Sequence, residues 1–387
     1  MAEFFLNERN TRARGEWYDL IVNNAITEFH SSLPGYEPTP LVSLPRLAEK
    51  LGLRNIYLKD ESKRFGVNAF KPLGASWAIF CFLAEQYHVK TGRYLDPKDF
   101  LNAETRAILG KWTFCAATDG NHGKAVAWTA HILQQNAVIY MPDNTALSRI
   151  RHIESDGAEV RLISGTFDAC VLQADSDAKL HGWIPISDTA YEGYLKVPSN
   201  VMAGYSTIFR EIDRQLPVKP TVVLLQAGVG GMASAGSTYF LSKYGHEMPE
   251  IVVVEPEDAD AFLQTAKAGK PTPSKGSYNS MMAGLNCGVS LVAWSVLKEL
   301  VTAFVSIPDE YAAEAMKMLY LPIECDQQVI SGESGAAGMA GLIALLRDPA
   351  LVSLKKTLKL NGRTDVLLIN TEGDTDPINF NLITGRE

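Results

Sequence analysis

Trp112-Thr113-Phe114-Cys115-Ala116-Ala117-Thr118-Asp119-Gly120-Asn121-His122-Gly123 reads as an apolar strand emptying into a polar, glycine-punctuated turn. A helix is expected over 124–135. A short apolar run bounded by turn residues suits a strand buried on both faces. The same alternation recurs downstream. Strands are expected at 137–141 and 160–163, and helices around 148–156 and at 166–180. After a loop over 187–200, a helix beginning near Tyr205 leads into a second series. Its strands are 222–225, 251–254 and 366–370, and its helices are 234–244, 309–319 and one from near Gly335. Repeated strand–helix units build a parallel sheet with helices on both faces. The fold class is therefore α/β, with two open, twisted parallel-sheet units.

Upstream, a short helix is expected at 44–51 and a strand at 55–59. The charged loop Asp60-Glu61-Ser62-Lys63-Arg64-Phe65-Gly66 then delivers the chain to Asn68-Ala69-Phe70-Lys71-Pro72. Proline suits the first turn of a helix, where its missing N–H would be unpaired anyway. Lys71 thus stands where an extended segment becomes the helix 73–83. Such a lysine is ordinary if exposed. Held in an apolar wall, it would have a lowered pKa and a free amine available for a Schiff base.

Length and composition bound the rest. A chain of 387 residues suggests two domains or one large one. Hydrophobic content of 46% and charged content of 21% are those of a globular protein. A net charge of -8 argues against nucleic acid or an anionic membrane as partner. The five cysteines form no close pairs and no zinc spacing, which fits a reducing cytosol with neither a disulfide framework nor a metal site. The N-terminus lacks a basic stretch followed by an apolar core, and the apolar run 336–346 is too short to span a bilayer. The Gly/Pro/Ser-rich stretch 256–288 is long for a plain connection and reads as a lid.

In open α/β sheets, ligands bind where strands end. Four strand ends carry unusual residues: Lys71, the 118–123 turn, Gly228-Val229-Gly230-Gly231 and Thr371-Glu372-Gly373-Asp374. The glycine turn precedes a helix, so it can close backbone N–H groups on a phosphate. It can equally be a plain tight turn. It can also belong to a dinucleotide site, with Glu255 as the acidic ribose partner and no catalysis. Thr118 or Asp119 can cap the following helix, or the turn can bind an anion while presenting a carboxylate and an amide. Asp188 can be a loop cap or a base.

Together these segments resemble the fold type II family of pyridoxal-phosphate enzymes, related to the tryptophan synthase β-chain and threonine dehydratase. The resemblance rests on Thr39-Pro40-Leu41, Lys59-Asp60-Glu61, Phe70-Lys71, Gly120-Asn121-His122-Gly123 and Gly228-Val229-Gly230-Gly231, in that order. Three stretches narrow it to the diaminopropionate ammonia-lyases: 64–71, Asp188-Thr189-Ala190-Tyr191-Glu192-Gly193-Tyr194 and 370–377. Asp119 stands where dehydratases have Ser, which speaks against a serine/threonine dehydratase. The resemblance implies a large cofactor-binding domain of 1–75 and 205–387, a smaller domain of 76–204, and an active site between them. It implies pyridoxal 5'-phosphate joined to Lys71 as a Schiff base. Asn121 would hydrogen-bond the ring O3′, Gly228, Val229, Gly230 and Gly231 would hold the phosphate, and Thr371 would face the pyridine nitrogen. Thr118, Asp119, Gly120, His122 and Asp188 would meet an amino-acid substrate. The freed Lys71 amine would take the Cα proton, as in many relatives, or Asp119 and Asp188, approaching Cα from opposite faces, would let one enzyme eliminate ammonia from both D- and L-2,3-diaminopropionate, giving pyruvate. A homodimer is the family's expectation, and the cysteine usage fits the cytoplasm.

Overall fold

The computed structural model describes residues 1–118, 120–165 and 167–386. Asp119 and Thr166 lie outside the described residues. Eleven strands are found among the described residues: β1 Glu3–Leu6, β2 Leu41–Ser43, β3 Asn55–Asp60, β4 Thr113–Ala117, β5 Asn136–Pro142, β6 Glu159–Ile163, β7 Ile184–Pro185, β8 Val222–Gln226, β9 Glu250–Pro256, β10 Ala303–Ile307 and β11 Asp365–Asn370. They form a seven-stranded sheet, ordered β1-β10-β9-β8-β11-β3-β2, and a four-stranded sheet, ordered β6-β5-β4-β7. The small sheet is parallel throughout. The large one is parallel from β10 to β3.

Its two edges depart from the expected parallel arrangement. β1 runs antiparallel to β10, and β2 antiparallel to β3. Both edge strands are short, which limits the unpaired backbone they offer to other chains. The central strands β8 (VVLLQ) and β11 (DVLLIN) are buried at every position, because helices cover both faces of the sheet.

Helix boundaries shift most where a site is built. The helix after Lys71 spans Pro72–Thr91, eight residues beyond its expected end, and stops at Gly92 in the left-handed conformation. The helix expected at 124–135 starts earlier, at Asn121, so Asn121 and His122 sit in its first turn. The expected loop 187–200 gives way at its end to a helix, Lys196–Gly204, which breaks at Tyr205 before Ser206–Gln215. The expected lid is partly core: Ala261–Ala268 is a helix with Ala261, Phe262 and Leu263 fully buried. β10 and the helix Leu291–Leu300 were not anticipated.

A buried ionic knot fixes the loop before Lys71. Arg64 is wholly buried and donates to both oxygens of Glu61 and both of Glu211, at 2.8–2.9 Å. Lys59, also wholly buried, donates to Thr39 O, Glu211 Oε2 and Gln215 Oε1. Burial pushes the Lys59 amine below its ordinary pKa, against the pull of Glu61 and Glu211. Glu211 is held below the carboxylate range: burial alone would raise it, but the Arg64 guanidinium outweighs that. Beyond the knot, left-handed Phe65, Gly66 and Asn68 turn the chain back toward the sheet.

Among the described residues, no single helix is long and apolar enough to cross a membrane. The apolar helix Ala337–Arg347 is packed in the core.

Candidate active site

The strand ends of the two sheets meet around a cavity of about 170 Å³. Lys71, Thr118, Gly120, Asn121, His122 and Asp188 line it, and so do Gly228, Val229, Gly230, Gly231 and Thr371.

Lys71 is held by its backbone neighbours. Phe70 N donates to Thr371 O at 3.1 Å, and Gly373 N donates to Asn68 O at 3.0 Å. Ala69 and Glu372 form an isolated bridge. The segment after β11 therefore straps Lys71 to the sheet, with Lys71 as the N-cap of the helix Pro72–Thr91. Its Nζ donates to Asp188 Oδ2 at 2.6 Å, across 117 residues of sequence.

That pair overturns the expectation of a lowered lysine pKa. Burial, the largest single influence, would lower it, but the charge and hydrogen bond of Asp188, with Tyr205 and Cys287 nearby, together hold Lys71 above its ordinary value. Asp188 mirrors this. Burial would raise its carboxyl, but the Lys71 ammonium keeps it well below the usual range. With the Lys71 side chain free, the chain thus carries an ammonium–carboxylate pair at the cavity, not a neutral amine beside a desolvated base.

His122 Nε2 donates to Ile186 O at 2.7 Å, which leaves Nδ1 as the unprotonated nitrogen. Nδ1 lies 3.7 Å from Asp188 Oδ2, too far for a hydrogen bond, and has no partner among the described residues. Burial keeps this histidine neutral by lowering its pKa. Thr118 Oγ1 accepts the N–H groups of Gly120 and Gly123, both at 3.0 Å, so the hydroxyl caps the turn, and its proton has no acceptor among the described residues. Asn121 Nδ2 donates to Glu372 Oε2, joining the ends of β4 and β11.

The glycine turn closes β8. Gly230 has φ 87°, a left-handed conformation, and is the N-cap of the helix Gly231–Tyr244. A Cβ on Gly228 would come within 2.9 Å of Gly284 O. The bare backbone at this N-terminus suits an anion. The dinucleotide alternative fails on Glu255. Both its carboxylate oxygens accept backbone N–H groups, from Phe262 at 2.7 Å and Leu263 at 2.9 Å, and it is 1% exposed. It is the cap of a core helix and cannot reach a ribose.

Gln226 and Glu372 are among the wall residues to which the sequence assigned no role, and Tyr205 is expected from sequence only as pocket lining or core. Gln226 and Glu372 end strands or follow them directly, a position that could have flagged them. Gln226 Nε2 donates to Thr371 Oγ1 at 3.2 Å and to three backbone carbonyls, fixing Thr371 against the cavity. Glu372 Oε1 accepts from Ser334 N. The Tyr205 hydroxyl is buried and unpartnered among the described residues.

An amine-bearing lysine, a backbone anion cradle and an orphaned buried hydroxyl at one cavity fit a phosphorylated aldehyde. Comparison with known proteins agrees. Residues 33–371 match the family model described as "Pyridoxal-phosphate dependent enzyme". The diaminopropionate ammonia-lyase of Escherichia coli K12 is 42% identical over 90% of this chain and 87% of its own length. The chain belongs to the diaminopropionate ammonia-lyases of the pyridoxal-phosphate dependent enzyme family. The ammonia-lyase of Salmonella typhimurium is 38% identical over 92% of this chain and 90% of its own length. A crystal structure of the Escherichia coli ammonia-lyase, in complex with an aminoacrylate-PLP azomethine reaction intermediate, superposes with a TM-score of 0.89 at 38% identity, covering 100% of this chain and 98% of that one. Threonine deaminase isoform 2 of Solanum lycopersicum shares the fold, with a TM-score of 0.76 at 22% identity over 99% of this chain and 96% of its own. The ammonia-lyase family thus accounts for both the fold type II architecture and the cofactor.

Proposed function

We propose a division of labour among the cavity residues for pyridoxal-phosphate-dependent α,β-elimination of 2,3-diaminopropionate, D and L, to pyruvate and ammonia. The chain is a carbon–nitrogen lyase acting on a small amino acid. The observation that carries the residue assignment is the Lys71–Asp188 pair on the cavity wall that it shares with the 228–231 turn.

When bound, pyridoxal phosphate supplies the electron sink that makes the substrate Cα proton removable. Lys71 holds its aldehyde, the 228–231 turn its phosphate, Asn121 its O3′ and Thr371 its ring nitrogen. Glu372 accepts one Asn121 N–H and so sets that amide's orientation. Thr118, whose hydroxyl proton has no acceptor among the described residues, and the N–H groups of its turn hold the substrate carboxylate.

Asp188 is a poor base while the Lys71 ammonium sits on it. Asp188 would serve as a base only where Lys71 carries no charge, since burial would then raise the carboxyl toward a useful value, and a neutral Lys71 amine 2.6 Å away would be a base in its own right. Asp119 is the matching base for the opposite face of Cα. The cavity wall also carries Glu333 and Glu372. Burial pushes the Glu333 carboxyl up. An acidic wall favours a substrate with a second ammonium over one with a hydroxyl. The large domain takes 1–75 and 205–387 and the smaller 76–204. The working form is a cytoplasmic homodimer with no nucleic-acid or membrane partner, a state that light scattering on the purified enzyme checks.

The test is pyruvate release from D- and L-diaminopropionate, serine and threonine by the wild type and by Asp119→Asn and Asp188→Asn. Each variant should lose about 10²- to 10⁴-fold on one isomer and much less on the other. Equal, slight losses on both isomers would remove these aspartates from the mechanism, and a wild type faster on serine would replace the substrate.

A further inference from the structure

We propose that Tyr205 is a phosphate ligand of the cofactor, its phenol donating to the group cradled by the 228–231 turn. This rests on the cofactor assignment above and adds a side chain to what was otherwise a backbone site.

Tyr205 occupies the break between the helices Lys196–Gly204 and Ser206–Gln215 and is 1% exposed. Its hydroxyl lacks a hydrogen-bond partner among the described residues. Buried phenols are normally bonded, and one left bare loses its hydration for nothing. The ring is clamped where it stands. It packs on Phe70 with centroids 4.7 Å apart. A Cβ on Gly74 would lie 2.6 Å from Cε1 and 2.7 Å from Cζ, so only glycine fits beneath that edge. A Cβ on Gly231 would lie 3.3 Å from Cε2 on the other edge.

Those two glycines stand in the first turns of Pro72–Thr91 and Gly231–Tyr244. The ring is therefore wedged between two helix N-termini, and Tyr205 is one of the wall residues of the same cavity. Helix N-termini favour an anion. Two anions must enter: the substrate carboxylate, assigned to the Thr118 turn, and the cofactor phosphate, assigned to the turn that begins at Gly228. Gly231, the residue against the Tyr205 ring, belongs to the second. Burial also pushes the phenol's pKa up, so it stays a neutral donor at any working pH.

Binding of pyridoxal phosphate, and of pyridoxal lacking the phosphate, to cofactor-stripped wild type and Tyr205→Phe tests this, with absorbance as the readout. Phe fills the same notch and removes one oxygen. The variant should bind pyridoxal phosphate about tenfold to a hundredfold more weakly, as expected for losing a hydrogen bond to a charged group, and pyridoxal as before. Unchanged pyridoxal phosphate binding, or equal losses for both aldehydes, overturns the proposal. A wild type that takes up neither aldehyde overturns the cofactor assignment with it. Should Tyr205→Phe fail to fold, a crystal structure of the unaltered holoenzyme decides. Tyr205 Oη at about 3 Å from a phosphate oxygen supports the proposal, and anything beyond about 3.5 Å refutes it.

Discussion

Lys59 and Lys71 each pair with a carboxylate brought in from more than a hundred residues away, and the two pairs do opposite things. Lys59 Nζ has three acceptors, and its partner Glu211 is shared with a second cation, Arg64. Among the described residues Lys71 Nζ has one acceptor, Asp188, and it borders a cavity. The pKa directions diverge accordingly. Burial, reinforced by Arg64, lowers Lys59, whereas Asp188 and the other groups around Lys71 carry it upward against burial. A fully bonded ion pair fixes geometry. An ion pair with one bond and open space beside it can exchange its partner, which a lysine must do to take up an aldehyde.

Three changes would break or sharpen that contrast. The largest effect should come from Lys71→Ala, which removes the cofactor's attachment. Turnover should fall about 10⁴-fold or more, measured as pyruvate release, while urea unfolding shifts less than in any variant of the knot. If Lys71→Ala unfolds the protein instead, the two lysines are alike and the contrast is gone.

Glu211→Ala comes next and should act in the opposite sense. It strands Lys59 and Arg64 without a shared partner, so urea unfolding should report a loss of about 3–5 kcal/mol. D- to L-isomer preference should stay put, because Glu211 belongs to the support of the loop and not to the cavity. A changed isomer ratio would put the knot inside the mechanism.

The smallest effect concerns pH. Asp188 has a depressed folded pKa, so its contribution to stability of the cofactor-free chain is present above the unfolded value, near 3.8, and fades as pH falls through the lower folded one. Lys71 has a raised folded pKa, so its contribution is present below about 10.5 and fades as pH rises through the higher folded one. The stability gap between the cofactor-free wild type and Asp188→Asn should therefore be flat between about pH 5 and pH 9 and narrow in acid. A gap that widens in acid would reverse the assigned sign.

Much of the architecture was legible locally. Apolar runs such as Phe114-Cys115-Ala116-Ala117 and Val222-Val223-Leu224-Leu225 mark strands covered on both faces, and the polar turns after them mark where ligands sit. Edge strands were harder. β1 and β2 have three or four residues and mixed burial, too short for a periodic signal. Within 256–288 the core helix Ala261–Ala268 was not legible, because the glycines and prolines around it mask its pattern.

The chain's residues by themselves determined the alternating α/β order, the proline-started helix after Lys71 and the glycine bend before Gly231–Tyr244, because each depends on the conformational preferences of a few neighbouring residues. Only the folded arrangement decided that Lys71 meets Asp188, that Asn121 meets Glu372, that Glu255 is consumed as a cap, and that the Tyr205 hydroxyl is left bare beside the cavity. Charge state and hydrogen-bond demand depend on what surrounds a group in space, and those surroundings come from parts of the chain that no local pattern connects.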